Sequence, residues 1–220
     1  MSAIDTAPTV TSLPQSGNIS YLALGDSYTI GEAVAQQESF PFQLQKLLME
    51  KGVAVATPRI IATTGWTTDE LQLAIKQANL AERFDFVTLL IGVNNQYRGY
   101  PIDTYKKEFA ALLQTAINFA NGKKDHVFVI SIPDWGATPF AKNSNKSAQL
   151  IASEIDNFNT INREVTIGAG LSYTDITPAS RNATSDLMLI AKDGLHPSGK
   201  MYTEWARNLS PKVLASLTLK

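Results

Sequence analysis

Residues 20–27 read SYLALGDS, an apolar run that ends in a glycine, an aspartate and a serine. Four further apolar runs follow along the chain, and we predict a strand at each of the five places. The predicted strands are Ser20–Leu24, Arg59–Thr63, Phe86–Ile91, Val127–Ile132 and Leu171–Thr174. Their continuous apolar character is typical of parallel strands, so we expect all five to be buried on both faces.

Segments of helical periodicity separate the predicted strands. The pattern predicts helices over Pro41–Glu50, Asp69–Ala78, Thr104–Ala120, Ser147–Thr166 and Ser198–Leu217, with Pro211 bending or splitting the last one. Strands that alternate with helices form βαβ units around a parallel sheet. The sequence therefore predicts an α/β fold in one domain over residues 19–220, preceded by a flexible leader over residues 1–18.

The composition narrows the chemistry before any motif is considered. The chain has 220 residues, of which 44% are hydrophobic and 18% charged, and its formal net charge is −1. This balance is typical of a globular protein and gives nucleic acid no basic surface to bind. The chain has no cysteine and two histidines, which excludes thiolate nucleophiles, iron–sulfur clusters and a three-histidine zinc site.

The longest apolar stretches fall far short of the roughly 18 residues that a membrane-spanning helix requires, so we expect no span. The first 18 residues lack the basic start and the apolar block of a signal peptide. This favours a cytoplasmic location, but secretion stays open because a signal that had been removed would leave the same sequence. The sequence does not indicate an oligomeric state.

Polar side chains follow the predicted strands at one edge of the sheet. Parallel α/β sheets bind their ligands at this edge, beyond the carboxyl ends of the strands. Ser27 follows the first strand, Gly65 the second and Asn94 the third, and the loop after the fifth strand ends in Asp193 and His196. This edge therefore gathers a hydroxyl, a glycine amide, a carboxamide, a carboxylate and an imidazole.

These groups include the parts of a serine nucleophile and its base. A serine hydroxyl attacks only after a base takes its proton, and imidazole has an ordinary pKa near neutrality. His126 precedes the fourth strand, at the opposite edge, which leaves His196 as the base. Asp193 is spaced to orient the His196 ring. Plain structural roles also fit, because Asp193 suits a turn, and Ser27 and His196 suit helix starts.

Three donors at this edge would form an oxyanion hole if they surround one oxygen atom. They are the backbone amides of Ser27 and Gly65 and the side-chain amide of Asn94. Taken singly, Gly65 and Asn94 fit ordinary turn positions equally well.

These residues in this order resemble the four sequence blocks of the GDSL/SGNH hydrolases, a family of serine esterases and lipases that includes lysophospholipase-like esterases. The first block reads LGDSY over residues 24–28, and the last reads DGLHP over residues 193–197. The second block reduces to Gly65, and the third reads GVNN over residues 92–95. The resemblance spans residues 22–199. It implies a three-layer αβα sandwich around a mostly parallel five-stranded sheet, in a flavodoxin-like arrangement.

The resemblance also implies a mechanism and a substrate class. Ser27 would be the nucleophile, His196 the base and Asp193 the acid of a catalytic triad, with Ser27, Gly65 and Asn94 as the oxyanion hole. A small carboxylic ester would then be cleaved through an acyl-enzyme, without metal or organic cofactor. With little chain to spare for a lid, we expect an open site for short or medium acyl chains. Asn95 stands where the family commonly has aspartate, which leaves its supporting hydrogen bonds open.

Several neighbouring side chains are candidates for contact with the substrate: Asp26, Trp66, Asn95, Tyr97, Arg98 and Trp135. We expect the loops Asn95–Pro101, Trp135–Asn145 and Ile176–Lys192 to line the acyl and alcohol pockets. The same residues would also suit a carbohydrate deacetylase, a lysophospholipase, a thioesterase or an acyltransferase. A binding module that keeps the fold without catalysis is the alternative from another class.

Overall fold

The computed structural model describes residues 18–218, so the predicted leader lies outside the described residues except for Asn18. Five parallel strands form one sheet in the order β2-β1-β3-β4-β5. They are β1 (Tyr21–Asp26), β2 (Arg59–Thr63), β3 (Phe86–Leu90), β4 (Val127–Ile130) and β5 (Ser172–Thr174). The prediction of an α/β fold around a parallel five-stranded sheet is confirmed.

Burial within the sheet follows the order of the strands. Every residue of β1, β3 and β4 is buried, because each of these strands has a neighbour on both sides and helices on both faces. The expectation that all five strands are buried on both faces is wrong for β2 and β5. These are the edge strands, and only Ile61 of β2 and Thr174 of β5 are buried.

Helices cover the sheet on both faces. The helices are α1 (Ser27–Ile30), α2 (Phe40–Glu50), α3 (Thr68–Ala78), α4 (Val93–Tyr97), α5 (Ile102–Phe119), α6 (Ala148–Gly168), α7 (Thr177–Ser180) and α8 (Gly199–Thr218). Helix α2 packs against α8, and α5 packs between α3 and α6. Because βαβ crossovers are right-handed, α2 lies on one face of the sheet and α3, α5 and α6 lie on the other.

The five long helices lie within a few residues of their predicted bounds, whereas the four- and five-residue helices α1, α4 and α7 were not predicted. Helix α8 runs through Pro211 without a break, so of the two predicted effects, a bend or a split, the split is wrong. Proline removes the N–H that would bond to the Arg207 carbonyl oxygen, and the Ser210 hydroxyl donates to that oxygen at 3.4 Å. Within the described residues, no helix combines the length and apolar character that crossing a membrane would require.

The strand order reverses at β1, and this places a crevice between β1 and β3. The chain leaves β1 towards β2 and later returns past β1 to β3, β4 and β5. In parallel α/β sheets, such a switch point opens a crevice outside the carboxyl ends of the two strands. Ser27 follows β1 and Asn94 follows β3, so the two residues flank the crevice.

Candidate active site

Ser27 lies at the carboxyl end of β1, where the strand turns sharply into α1. Asp26 fixes the turn, because its Oδ1 accepts a 3.0 Å hydrogen bond from the backbone N–H of Tyr28. Gly25 allows close packing, since a Cβ atom there would lie 2.1 Å from Thr29 Oγ1. Ser27 is thus the first helical residue, and its N–H is one of the donors that a helix start leaves without an intrahelical partner.

Asp193 and His196 contact each other in the loop before α8. Asp193 Oδ2 lies 2.5 Å from His196 Nδ1, while Oδ1 accepts 3.0 Å hydrogen bonds from the N–H groups of Leu195 and His196. Partial burial raises the pKa of Asp193, but the hydrogen bonds from His196 and Leu195 outweigh it and hold that pKa below its ordinary value. The ionised carboxylate only accepts, so it favours the ring form with a proton on Nδ1 and leaves Nε2 available.

The loop that carries His196 is anchored on both sides of the ring. The carbonyl oxygen of Gly194 accepts a 2.9 Å hydrogen bond from the N–H of Phe140, and the carbonyl oxygen of His196 accepts one of 2.7 Å from the N–H of Ala191. Gly194 has a φ of 75°, which glycine adopts without strain. The Tyr28 ring packs edge-on against the imidazole with 5.6 Å between centroids. The ring is therefore fixed in place, with 7% of the residue exposed.

One cavity of about 200 Å³ brings the predicted site residues together. Ser27, Gly65, Asn94 and His196 all line it, and Asp193 reaches it through His196. The remaining lining residues are Tyr28, Thr64, Val93, Tyr97, Trp135, Phe140 and Leu195. The polar groups thus lie on one side of a largely apolar cavity, an arrangement typical of small-molecule sites.

Gly65, in the turn after β2, and Asn94, at the start of α4, lie on neighbouring segments that line this cavity. Gly65 has a φ of 86°, a left-handed conformation that a side chain would strain. Asn94 Nδ2 donates a 2.9 Å hydrogen bond to the carbonyl oxygen of Trp66. Because an amide nitrogen carries two hydrogens, this bond fixes the side chain and leaves a second N–H to donate.

Asn95 and Arg98 connect α4 to the Gly65 turn and to the start of α3. Asn95 Oδ1 accepts a 3.1 Å hydrogen bond from the N–H of Thr68, and its Nδ2 donates at 2.7 Å to the Thr68 hydroxyl. Arg98 donates at 2.6 Å to the carbonyl oxygen of Gly65 and forms a 3.1 Å ion pair with Glu70. Both are candidates for contact with the substrate; Asn95 is fully buried, Arg98 bonds to the Gly65 turn, and neither is among the residues that line the cavity.

A model of the GDSL-like lipase/acylhydrolase family matches residues 23–203. The chain belongs to this family. By class, this GDSL-family protein is a carboxylic ester hydrolase that acts on small-molecule substrates. The Ser, Gly, Asn and His blocks quoted from the sequence all fall within the matched residues.

Several solved structures share the fold of this GDSL-family protein. A lipase/acylhydrolase from Enterococcus faecalis superposes with a TM-score of 0.69 at 19% identity, covering 92% of this chain and 98% of the other. An esterase from Pseudoalteromonas gives 0.65 at 15% identity, covering 92% and 100%. An acetylxylan esterase from Geobacillus stearothermophilus gives 0.63 at 16% identity, covering 92% and 95%. A comparison with curated proteins gave no match.

Among the other candidate contact residues of this GDSL-family protein, Tyr97 and Trp135 line the cavity. Tyr97 is 54% exposed and packs edge-to-face on the buried Trp135 ring, with 5.4 Å between centroids. Trp66 contributes its carbonyl oxygen to the bond from Asn94, while its ring packs on the core. Asp26 is fully buried, and burial raises its pKa to about 7, although the hydrogen bond from the Tyr28 amide acts against the rise.

Sequence reasoning missed several cavity residues. Phe140 falls in the predicted lining loop Trp135–Asn145, but nothing in the sequence separated it from its neighbours. Leu195 and Val93 adjoin predicted residues, and proximity to His196 and Asn94 was the available signal. In the part of the chain that the structure describes, no residue of the predicted lining loop Ile176–Lys192 reaches this cavity.

Proposed function

We propose that this protein hydrolyses carboxylic esters of short to medium acyl chains with Ser27 as the nucleophile. Ser27 Oγ attacks the ester carbonyl carbon while His196 Nε2 takes the hydroxyl proton, and Asp193 stabilises the resulting imidazolium. The protonated His196 then donates this proton to the alcohol as it leaves, which produces the acyl-enzyme. Water, activated by the same base, attacks the acyl carbon and releases the acid and free Ser27.

The observation that carries the proposal is the shared cavity. It is lined by a serine at a helix start, by an imidazole bonded to an ionised carboxylate, and by two candidate amide donors. The N–H groups of Ser27 and Gly65 and the second N–H of Asn94 would bind the oxyanion of the tetrahedral intermediate. A single such donor contributes on the order of 100- to 1,000-fold to the rate.

The volume of the cavity supports the proposed preference for short to medium acyl chains. Its volume of about 200 Å³ lies below the range of about 300–1,000 Å³ that is typical of ligand pockets. Trp135, Phe140 and Leu195 form its apolar wall, which suits a hydrocarbon chain of limited length. We therefore expect acetate to hexanoate esters to be turned over with higher kcat/KM than decanoate or longer esters.

A second candidate is the removal of acetyl groups from carbohydrate. The exposed Tyr97 ring at the cavity offers a flat apolar surface on which a sugar ring can stack. An acetylxylan esterase is among the proteins with the same fold. If acetylated xylan oligosaccharides are turned over faster than p-nitrophenyl acetate, and Tyr97→Ala removes this advantage, the second candidate is the better description.

Active-site labelling tests the nucleophile directly. A fluorophosphonate forms a covalent adduct with an activated serine, so we expect one adduct per chain, located on Ser27 by peptide mass spectrometry. Ser27→Ala should abolish both labelling and ester hydrolysis. Ser180→Ala is the matched control, because Ser180 is also a buried serine in a short helix but bonds to Thr177 and Asp134 away from the cavity. Undiminished hydrolysis by Ser27→Ala would refute the proposal.

A further inference from the structure

The apolar wall of the cavity contains a tryptophan with a buried polar atom. Trp135 packs edge-to-face against Tyr97, at 5.4 Å between centroids, and against Phe140, at 6.0 Å. The residue is 3% exposed, so the indole N–H is cut off from solvent. A buried donor of this kind needs a partner, and its partner decides where the ring lies.

The partner of the Trp135 indole is Gln96, which is itself buried. Trp135 Nε1 donates a 2.8 Å hydrogen bond to Gln96 Oε1. On the other side of the amide, Gln96 Nε2 donates a 2.6 Å hydrogen bond to Glu154 Oε2 on α6. Both ends of the Gln96 side chain are thus engaged with other elements of the fold.

The charge on Glu154 determines which way the Gln96 amide points. An ionised carboxylate only accepts hydrogen bonds, so the NH₂ group must face Glu154 and the oxygen must face the indole. Lys146 forms a 2.7 Å ion pair with the same Oε2 atom. Burial raises the pKa of Glu154, but the bonds from Lys146 and Gln96 outweigh it and hold that pKa below its ordinary value. The chain Lys146–Glu154–Gln96–Trp135 therefore has one hydrogen-bonding direction.

We propose that Gln96 determines acyl-chain specificity by positioning the Trp135 ring as the wall of the acyl pocket. The inference rests on the proposed function, because it takes the cavity beside Ser27 as the acyl pocket. Gln96 bonds to the indole N–H and is not among the residues that line the cavity, so it is a positioning residue rather than a catalytic one. The single direction of the chain holds the ring in one orientation and sets the depth that an acyl chain can reach.

The test compares kcat/KM for p-nitrophenyl octanoate with that for p-nitrophenyl acetate. Trp135→Ala removes the wall, so the octanoate-to-acetate ratio should rise at least about tenfold, since each misfitted methylene changes discrimination by about 10- to 200-fold. Gln96→Leu leaves the indole N–H unpaired and frees the ring, so the ratio should rise by about fivefold or more. Gln45→Leu is the matched control, because the Gln45 amide also bonds across the fold, to the Val55 carbonyl oxygen, away from the cavity. It should leave the ratio unchanged.

A double-mutant cycle distinguishes positioning through Trp135 from general loosening of the fold. Trp135→Phe keeps an aromatic ring but removes the N–H, so adding Gln96→Leu in this background should change the ratio by less than about twofold. The exchanged pair Gln96→Glu with Glu154→Gln keeps an acceptor for the indole and reverses the second bond. It should return the ratio to within about threefold of the wild-type value, whereas Gln96→Glu alone sets two carboxylates against each other.

The outcomes separate this inference from the proposed function. If the wild-type protein hydrolyses these esters and Gln96→Leu lowers the melting temperature without moving the ratio, the positioning role is wrong and the esterase proposal stands. An equal effect of Gln96→Leu in the wild-type and Trp135→Phe backgrounds also overturns it. If the wild-type protein hydrolyses none of the esters and Ser27 takes no fluorophosphonate label, the proposed function fails and the inference fails with it.

Discussion

Arg98 Nη2 donates a 2.6 Å hydrogen bond to the carbonyl oxygen of Gly65 and so connects the end of α4 to the turn after β2. The same guanidinium pairs with Glu70, whose carboxylate also accepts a 2.9 Å hydrogen bond from the N–H of Thr67 at the start of α3. Asn94, at the start of α4, holds the next carbonyl of this turn, that of Trp66. The segments that carry Gly65 and Asn94, two of the three proposed oxyanion-hole residues, are therefore held together by these bonds.

We expect Arg98→Met to lower kcat about 10- to 100-fold with little change in KM. The reason is that the turn that carries the Gly65 N–H would lose the bond to its carbonyl oxygen, and small displacements of a group that stabilises the transition state cost rate rather than ground-state binding. Steady-state kinetics with p-nitrophenyl acetate measures both constants. Arg59→Met is the matched control, because Arg59 forms a comparable surface ion pair with Glu82 and should leave both constants unchanged. A rise in KM alone would instead favour direct contact between Arg98 and substrate.

The two histidines provide a second test. His196→Ala should lower kcat by about 1,000-fold or more, because the base is lost, with an effect on the order of that of other triad deletions. His126→Ala should leave kcat unchanged, since His126 lies just before β4 at the amino edge of the sheet and contacts the Asp85 carbonyl oxygen. Single-substrate kinetics on both purified variants decides the matter. The reverse pattern would contradict the assignment of His196 as the base.

The meeting of the site residues was predictable from the sequence because parallel sheets bring the carboxyl ends of their strands to one edge. Ser27, Gly65, Asn94 and His196 each come after a predicted strand in the sequence, and all four line one cavity. Strand β2 begins and ends at its predicted residues because its apolar run is short and bounded. The chemical roles of these residues remain predictions.

The supporting contacts were beyond sequence reasoning because they depend on which side chains meet across the fold. Arg98 and Gly65 are 33 positions apart, and Gln96 and Glu154 are 58 apart. Position in the sequence made Arg98 a candidate for contact with the substrate, whereas in the structure it pairs with Glu70 and a backbone carbonyl. The exposure of β2 also results from its edge position, which its apolar sequence does not reveal.

The buried Asp26 predicts a pH dependence of stability. Burial raises the pKa of Asp26 to about 7 in the folded chain, against a usual value of 3.8. Below pH 3.8 both the folded and the unfolded states hold the proton, and as the pH rises towards 7 the unfolded state releases it first. Asp26 therefore lowers the free energy of unfolding progressively between about pH 4 and pH 7, by up to the order of 4 kcal/mol.

Asp26→Asn keeps the acceptor for the Tyr28 amide but removes the titration. The change that it causes in the free energy of unfolding should therefore be more positive at pH 8 than at pH 4. Urea unfolding of both proteins at the two pH values measures this difference, and any cost that is independent of pH cancels. Asp186→Asn is the matched control, because Asp186 also accepts from an amide two residues on but is only partly buried, and the hydrogen bond from Lys200 lowers its pKa. An equal effect of Asp26→Asn at both pH values would show that burial does not raise the pKa of Asp26.

Asn95 stands where the family commonly has aspartate, and it shares the Thr68 hydroxyl with Glu108. Asn95 Nδ2 donates to the Thr68 hydroxyl, and that hydroxyl donates its own hydrogen to the Glu108 carboxylate. An aspartate at position 95 would also need this hydrogen, and one hydroxyl cannot donate to two carboxylates. We expect Asn95→Asp to lower the free energy of unfolding by about 1–3 kcal/mol at pH 8, measured by urea unfolding. Adding Glu108→Gln supplies an N–H to Thr68 and reverses the direction of the bonds, so it should restore most of the loss. If Glu108→Gln instead lowers the free energy of unfolding further in the Asn95→Asp background, this pairing is contradicted.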